Sequence, residues 1–580
     1  MTRVTAVRQP ALAAVSILLA SVGFYASFVA RTTVEYRGTR YFTLFDDAMV
    51  SMQYARNLSN GAGLVWNADD DRVEGYTNLL WTLWMAVLHA TGIPEPKLGL
   101  AVAATGAAIL VATAFVAHRI VLEMGGSSVA ALVATATVAF FFPLVYWTLR
   151  GLEVGLVTLL TATAILLALR ARRNGVVPLA AVIVCAVLTR DDTAVLCIVI
   201  AVYAVAVSPR DLRWNRSLVL GAAIAATIVL HTAFRLWYYG EPLPNTYHLK
   251  LGGIDTATRL TRGLEALAEV GSLTLFVPIA MAVAVMASSA RERFHGAPLL
   301  AGVFAVCCAY SVYVGGDAFE TTQYANRFIT PGVVALLILA ALFVDAARSA
   351  AYGRARLIAA TLIVGGCAVL VVSDVNFLDD ETPPAGLGAV AVGIAALALV
   401  GVPHGAHART LRRATFAAAL GALLIVATNA RAYRSWWDGG PAFAADDRTM
   451  TRYGLLLRDS TAPGTTVAVT WAGSIPYHSH RRAIDLLGKS DRHIARSAPN
   501  RVAFRPGHNK WDYAYSIGQI RPDVVAQLFG STMPIASSLK AWGYEPVAGG
   551  RAWVRRDARG IDRARLGRFL AQEYGLPRRG

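Results

Sequence analysis

Two adjacent carboxylates, Asp46 and Asp47, stand in the sequence FDDAMVSMQYARNLSNG, a short way beyond an apolar N-terminal stretch. A carboxylate can take the proton from a reacting hydroxyl group, and a neighbouring carboxylate can orient the reacting molecule or bind a metal ion. An isolated Asp-Asp pair is usually only solvated. The pair therefore becomes a candidate for catalysis only if other charged residues converge on it.

Three basic residues are placed where they could bind a phosphate group. Arg190 belongs to LTRDD, Lys250 ends YYGEPLPNTYHLK, and Arg327 lies in YVGGDAFETTQYANRFITP. Each stands near the end of an apolar segment, where an ionisable residue is costly to bury without a partner. A fixed cation there could stabilise a phosphate leaving group. The structural alternatives are an ion pair within LTRDD for Arg190 and contact with lipid head groups for Lys250 and Arg327.

The composition indicates which elements position these side chains. Of the 580 residues, 56% are hydrophobic and 16% are charged. Apolar runs of about 15–20 residues, close to the length of a membrane span, recur between Ala11 and Ala430. We predict an α-helical polytopic membrane domain over 1–432 and a soluble extracytoplasmic α/β domain over 433–580. In the latter, TTVAVTWAG, RAIDLLG and RAWVRR are predicted strands, and the domain would guide a glycan or form a structural lid.

Arginine clusters predict how the chain crosses the plasma membrane. With a cytoplasmic N-terminus, clusters such as Arg170, Arg172 and Arg173 fall in cytoplasmic loops. This holds only if residues 77–92 do not cross, so that 31–97 form the first extracytoplasmic loop with juxtamembrane helices. The prediction is about 13 spans: 11–30, 98–118, 128–147, 152–170, 177–190, 193–208, 218–236, 271–288, 297–314, 331–347, 356–373, 387–402 and 414–430.

The charge and cysteine content exclude several other classes of function. A net charge of +17 could indicate nucleic-acid binding, but arginines at span ends explain it better, so we predict no nucleic-acid partner. All five cysteines fall inside predicted spans, which argues against a disulfide framework or a cysteine metal site. The histidines show no metal spacing, and His508 is predicted to be a surface-loop residue. A divalent cation, if one binds, would contact Asp47.

These residue types suit one reaction on the outer face of a membrane. Nucleotide sugars are cytoplasmic, so glycosyl transfer outside needs a sugar carried on a lipid phosphate. Such an enzyme needs a carboxylate base, cations for the phosphate, and aromatic faces such as Tyr76 and Trp81 for the sugar. The alternatives are a transporter or flippase of a lipid-linked sugar, and a non-catalytic scaffold. A transporter would be expected to show internal repeats and ionisable residues at mid-membrane depth, which are not evident here.

Four ordered stretches carry a resemblance to a known family. They are FDDAMVSMQYARNLSNGAGLVWNADDDRVEGYTNLLW, LTRDD, YYGEPLPNTYHLK and AIDLLGKSDRHIAR. They resemble a bacterial GT-C membrane glycosyltransferase family that includes the terminal arabinofuranosyltransferase of mycobacterial cell walls. The resemblance runs from about residue 40 to about residue 525. It implies a decaprenyl-phosphate-linked D-arabinofuranose donor and a cell-wall polysaccharide acceptor.

The resemblance also implies roles for individual residues. Asp46 and Asp47 match the family's outer-loop acid pair, which predicts Asp46 as the general base and Asp47 as the residue that orients the acceptor or a metal ion. Arg190 matches the arginine of an Arg-Pro-Glu-like motif, and Lys250 and Arg327 match basic positions that could hold the donor phosphate. The sequence departs from the family where Arg150 replaces a serine, where Asp-Asp replaces Pro-Glu after Arg190, and in PNT. The predicted substrate-binding residues are Glu74, Tyr76, Trp81, Glu153, Asp317, Tyr247 and His248.

Overall fold

The computed structural model describes residues 2–68, 70–287, 290–320, 325–348, 421, 424–425, 428–529 and 535–574. The chain is mostly helical in these ranges. The helices are Thr2–Ala30, Asp46–Ser59, Leu79–Ala90, Glu95–Glu123, Ser128–Ala139, Phe142–Leu149, Val154–Leu169, Val177–Thr189, Thr193–Ala206, Arg213–Tyr239, Asn245–Leu251, Thr256–Val270, Phe276–Ala287, Ala290–Arg293, Ala297–Val314, Thr330–Arg348, Ala444–Ser460, Ser474–Ser479, Arg492–Arg496, Ala536–Ala541 and Arg563–Glu573.

Several helices are built to cross a bilayer. Within the described residues five are long and apolar enough: Leu12–Ala30, Glu95–Glu123, Arg210–Tyr239, Thr256–Ala287 and Ala297–Val314. A sixth candidate is the pair Ser128–Ala139 and Phe142–Leu149, which is bent by 47°. The bend lies just before Pro143, where a proline ring disfavours helical geometry. The chain is a multi-pass membrane protein.

The predicted fold class, a polytopic α-helical membrane protein with a C-terminal α/β domain, is confirmed. The helix Leu79–Ala90 has 12 residues, about 18 Å at 1.5 Å per residue, which is shorter than the hydrocarbon core of a bilayer. The helices Val177–Thr189 and Thr193–Ala206, at two predicted spans, have only 13 and 14 residues, so the interpretation of 77–92 stays a prediction. Spans predicted at 356–373 and 387–402, and most of 414–430, lie outside the described residues. The total of about 13 spans stays a prediction.

The membrane helices have one end rich in arginine. Arg170 pairs with Glu123 at 2.9 Å, and Arg173 contacts the same carboxylate. Arg216 donates to the Ser208 hydroxyl at 2.7 Å. These residues come from the loops that follow three different predicted spans, so the basic loops gather at one end of the bundle.

Tryptophans border the most exposed apolar surface. In the helix Arg213–Tyr239, Trp214 and Trp237 are 72% and 79% exposed. A helix rises about 1.5 Å per residue, which separates the two by about 34 Å, slightly more than the hydrocarbon core of a bilayer. Tryptophans favour the two membrane–water interfaces. This helix therefore presents its apolar side to lipid.

The C-terminal domain contains a five-stranded sheet among its described residues. The strands Thr466–Val469, Arg482–Asp485, Val524–Val525, Tyr544–Val547 and Ala552–Arg555 form it, and Thr33–Tyr36 pairs with Thr39–Phe42 elsewhere. From one edge of the sheet to the other, the order is Arg482–Asp485, Thr466–Val469, Val524–Val525, Ala552–Arg555 and Tyr544–Val547. The first three strands of this order are parallel, and Ala552–Arg555 pairs antiparallel with the strand on each side. The three predicted strands are confirmed. The strands Val524–Val525 and Tyr544–Val547 were not predicted.

One short helix, Ser474–Ser479, connects the C-terminal domain to the membrane domain, and we call it the docking helix. The Tyr477 carbonyl accepts a hydrogen bond from Arg56 at 2.5 Å. His478 contacts Glu95, the first residue of a membrane helix, at 2.9 Å. Arg56 and Glu95 stand on different helices, and Glu95 lies at the end of its helix remote from Glu123 and the arginine-rich loops. The C-terminal domain is therefore held against the opposite end of the bundle.

Candidate functional site

The carboxylates of the acid pair point in different directions, because successive residues on a helix are turned by about 100°. Both begin the helix Asp46–Ser59. The buried Asp46 carboxylate accepts hydrogen bonds from the backbone N–H groups of Gly473 (3.2 Å) and Ser474 (2.7 Å). A Cβ at residue 473 would lie 1.9 Å from the Asp46 carbonyl oxygen, so this approach requires glycine. These hydrogen bonds hold the N-terminus of the helix Asp46–Ser59 against the C-terminal domain.

Asp47 instead lines an open cleft between the membrane domain and the C-terminal domain, whose volume of about 710 Å³ includes space open to solvent. Its carboxylate accepts a hydrogen bond from Arg327 Nη1 at 2.8 Å and contacts the Lys489 ammonium group. Of the pair, Asp47 is therefore the carboxylate in a position to meet a molecule bound in the cleft.

Burial and neighbouring charges separate the pKa values of the two acids. Burial raises the pKa of Asp46 to about 6, although Lys489 and the two backbone N–H groups oppose this. Burial would also raise the pKa of Asp47, but Lys489 and Arg327 outweigh it and hold the pKa well below its usual range. Asp47 is ionised throughout the physiological pH range, whereas the pKa of Asp46 lies close to that range.

The structure brings many of the predicted site residues together. Besides Asp47, the cleft is lined by predicted residues from several separate segments: Tyr76, Glu153, Arg190, Lys250 and Arg327. They stand at the ends of different helices, and these ends meet on the side of the bundle away from the arginine-rich loops. Their convergence could not follow from sequence spacing alone.

Two arginines of the cleft are each held by two carboxylates. Arg327 forms a two-pronged pair with Asp317, at 2.7 and 2.8 Å, and also binds Asp47. Asp317 is thus buried behind Arg327 and orients it. Arg190 pairs with Glu153 at 2.7 Å and with Asp192 at 2.5 Å. The ion pair within LTRDD that was the structural alternative exists, yet Arg190 also lines the cleft.

Lys250 differs from these arginines. Within the described part of the chain, no carboxylate oxygen lies within ion-pair distance of its ammonium group, which lies 5.8 Å from the centre of the Phe328 ring. Burial, then Arg327 and Arg190, lower the pKa of Lys250 to about 8. A buried cation among other cations is stabilised by an incoming anion. Lys250 is accordingly the strongest candidate for an anion ligand.

Other predicted residues lie outside the cleft lining. Glu74 forms a two-pronged pair with Arg235, at 2.7 and 3.0 Å. Trp81 is buried and donates to the Gly151 carbonyl at 2.8 Å. Tyr247 is 42% exposed and His248 is half-buried. Their geometry supports structural roles for Glu74 and Trp81, and their predicted substrate contacts remain untested.

Several cleft residues were not predicted as site residues, and two of them, Lys489 and His508, are ionisable. Lys489 follows the strand Arg482–Asp485. In the sequence it stands within AIDLLGKSDRHIAR, where nothing marked it as a site residue. His508, predicted to be a surface-loop residue, does lie in a loop, where it is half-buried and lines the cleft. Burial, then Lys489 and Arg505, lower the pKa of His508 to about 4, so the imidazole is neutral at physiological pH.

Arg150, where the resembling family has serine, has a structural explanation. Its side chain is fully buried and pairs with Asp447, which is also fully buried and belongs to the C-terminal domain. Arg150 also donates to the Thr43 carbonyl at 3.2 Å. The Arg150–Asp447 pair therefore joins the two domains next to the acid pair.

An apolar pocket of about 400 Å³ adjoins the cleft. Its lining comes largely from membrane helices: Val154, Val157, Arg190, Asp192, Thr193, Leu196, Cys307, Tyr310, Arg327, Phe328 and Pro331. Arg190, Arg327 and Phe328 line both spaces. The arrangement can hold an anionic group next to an apolar chain.

The residues present do not favour a metal ion at Asp47. Its two carboxylate oxygens already face Lys489 and Arg327. In the described ranges no group of three or more His, Cys, Asp or Glu side chains is arranged to hold a metal ion. A divalent cation at Asp47 remains an untested prediction.

Comparison with known proteins yields partial matches. Residues 442–570 match the family model of a domain of unknown function, DUF8728. No curated protein matches the chain. ArnT from Cupriavidus metallidurans bound to undecaprenyl phosphate is 14% identical, with a TM-score of 0.46 over 81% of this chain and 85% of that one. The Archaeoglobus fulgidus oligosaccharyltransferase tethered to an acceptor peptide is 11% identical, with a TM-score of 0.42 over 81% of this chain and 64% of that one.

Proposed function

We propose that the protein is a membrane glycosyltransferase that moves a sugar from a polyprenyl-phosphate donor to a glycan acceptor. The observation that carries this proposal is the junction of the basic cleft with the apolar pocket at Arg190, Arg327 and Phe328. A polyprenyl phosphate has the same two parts, an anionic group joined to an apolar chain. The phosphate would lie at the cations and the first prenyl units in the pocket.

The cations would act on the phosphate as it leaves. Lys250 lacks an ion-pair partner in the described residues, so its charge is available, while Arg327 and Arg190 are fixed by carboxylates behind them. Negative charge on the phosphate grows as the bond to the sugar breaks. Cations fixed in advance at that point lower the barrier and not only the binding free energy.

Asp47 would take the acceptor proton. The acceptor oxygen forms a bond to the anomeric carbon while the bond from that carbon to the phosphate oxygen breaks. The electron pair of the broken bond leaves with the polyprenyl phosphate, and the hydroxyl proton passes to Asp47. When the donor phosphate shares Arg327, the field that depresses the pKa of Asp47 weakens, which makes this carboxylate a better base.

For the substrates, the sequence resemblance supports decaprenyl-phosphate D-arabinofuranose as donor and a cell-wall polysaccharide, such as arabinogalactan or lipoarabinomannan, as acceptor. The reaction would take place on the outer face of the plasma membrane, where the C-terminal domain lies if the arginine-rich loops are cytoplasmic. Asn78 and Ser51 also line the cleft and offer polar groups to a sugar.

The test is a transfer assay with purified full-length protein in detergent. Decaprenyl-phosphate arabinofuranose and a hexose analogue are each supplied with an oligosaccharide acceptor, and the products are weighed by mass spectrometry. We expect the acceptor to gain one pentose and the lipid to appear as decaprenyl phosphate. If no sugar is transferred, but the lipid-linked sugar crosses vesicles containing the protein, the protein is a flippase instead.

A further inference from the structure

The C-terminal domain contributes directly to the cleft. Lys489, Pro506, Gly507 and His508 line it from this domain, opposite residues of the membrane domain. The Lys489 ammonium group contacts Asp47, which is 442 positions away in the sequence. The domain that matches a family of unknown function therefore places a cation at the carboxylate that faces the cleft.

The loop that carries Lys489, residues 485–491, is held in shape from within. The Asp485 carboxylate accepts hydrogen bonds from the backbone N–H groups of Leu487 (3.0 Å), Gly488 (3.0 Å) and Ser490 (2.7 Å). Gly488 has a φ of +81°, which an L side chain rarely adopts. The loop thus presents Lys489 at a fixed place.

The membrane domain holds the same loop from outside. The Asn245 side-chain amide donates to the carbonyl oxygens of Gly488 (2.9 Å), Lys489 (3.0 Å) and Asp491 (3.1 Å). Asn245 begins the seven-residue helix Asn245–Leu251, which also carries Lys250. One short helix therefore positions both lysines of the cleft.

We propose that Lys489 is a second donor-phosphate ligand beside Lys250, and that supplying it is a function of the C-terminal domain. The inference rests on the proposed function of the cleft. A lysine carries a compact charge on a flexible stem, so Lys489 can turn from Asp47 toward a phosphate without movement of the loop. Asn245 is the positioning residue, because it fixes the backbone of Lys489.

The competing explanation is that Lys489 only neutralises Asp47. Both explanations predict that Lys489→Met changes the pH profile, because removal of the cation raises the pKa of Asp47 and moves the acid limb of kcat/KM to higher pH. Only the proposed role predicts a loss of lipid-phosphate affinity at a pH where Asp47 is ionised.

The experiment measures binding of decaprenyl phosphate to full-length protein in detergent micelles, together with transfer. We expect Lys489→Met to weaken binding at least about tenfold, the cost of one charged contact, and Lys489→Arg to retain most of it. The matched control is Lys540→Met, which removes an exposed lysine of the same domain and should change neither quantity. Asn245→Ala should shift the acid limb in the same direction as Lys489→Met, by less.

The outcomes separate the two proposals. If the parent protein binds decaprenyl phosphate and transfers sugar while folded Lys489→Met binds it equally well, the inference is wrong and the proposed function stands. If the parent neither binds the lipid nor transfers sugar, both are wrong. If Lys489→Met does not fold, Asn245→Ala decides, because unchanged lipid-phosphate affinity in the folded Asn245→Ala variant would overturn the inference.

Discussion

At the scale of single residues, Asp46 and Asp47 have different surroundings and, on the proposed function, different roles. We expect Asp47→Asn to lower the turnover of sugar transfer by about 10²–10⁴, because an amide keeps the shape of the carboxylate but cannot accept the proton. Single-turnover kinetics on the folded variant measure this. Donor binding should survive, since the substitution removes no cation from the cleft.

Asp46→Asn serves as the matched contrast. An amide oxygen can accept from Gly473 or Ser474, but the amide nitrogen cannot accept from the other N–H group. We expect a loss of about 1–3 kcal/mol in stability and a smaller loss in turnover. If instead Asp46→Asn abolishes transfer with unchanged thermal stability and Asp47→Asn remains active, Asp46 is the base, as the sequence predicted.

On the proposed function, we expect Lys250 to make donor binding depend on pH. The pKa of about 8 means that Lys250 is protonated below that pH and loses its charge as the pH rises through it. A phosphodiester donor keeps one negative charge over this range, so its affinity should fall as the pH rises from about 7 to 10. Titrations of donor binding at several pH values test this.

The control for this prediction is Lys250→Arg. Arginine stays protonated throughout the range, so the affinity of this variant should be nearly independent of pH. A parent protein with a flat profile between pH 7 and 10 would show that Lys250 does not bind the phosphate.

At the scale of elements, the buried Arg150–Asp447 pair should govern how the domains associate. Arg150→Met leaves the carboxylate of Asp447 buried without its partner, which typically costs about 3–5 kcal/mol. We expect Arg150→Met with Asp447→Leu to recover most of this loss. Thermal unfolding of the two single variants and the double variant measures the coupling. Equal and additive losses would mean that the pair contributes nothing to the interface.

The Arg150–Asp447 pair is a contact that the sequence alone did not predict. Arg150 stood out only as a departure from a family motif, because its partner is 297 positions away. By contrast, the short length of the helix Leu79–Ala90 was predictable, because a short apolar run can be recognised within one stretch of sequence. The direction of each acid-pair side chain was not, because it depends on Gly473 in another domain.

At the scale of the whole molecule, the orientation in the membrane is open to a direct test. Ser537 and Arg172 are both exposed, in the C-terminal domain and beside the arginine-rich loops respectively. We expect a membrane-impermeant thiol reagent to label Ser537→Cys in intact cells and Arg172→Cys only after permeabilisation. The parent protein, with its native cysteines, gives the background. Labelling of Arg172→Cys alone in intact cells would invert the topology.

Much of the cleft was predictable because charged residues at span ends are conspicuous in an apolar sequence. Arg190, Lys250 and Arg327 were found in this way. Lys489 was not, because a lysine in a polar domain carries no such signal. Residues that the C-terminal domain contributes become visible only when its docking against the membrane helices is known.

The distance in sequence between Asp47 and Lys489 has a consequence for biosynthesis. A ribosome that adds about 5–20 residues per second needs roughly 20–90 s to extend the nascent chain from the first residue to the second. During that interval the membrane helices can insert, but the residues that the C-terminal domain contributes to the cleft do not yet exist. On the proposed function, the polypeptide becomes able to use the lipid donor only after the C-terminal domain has folded against the membrane domain, so an unfinished chain would not act on the lipids around it.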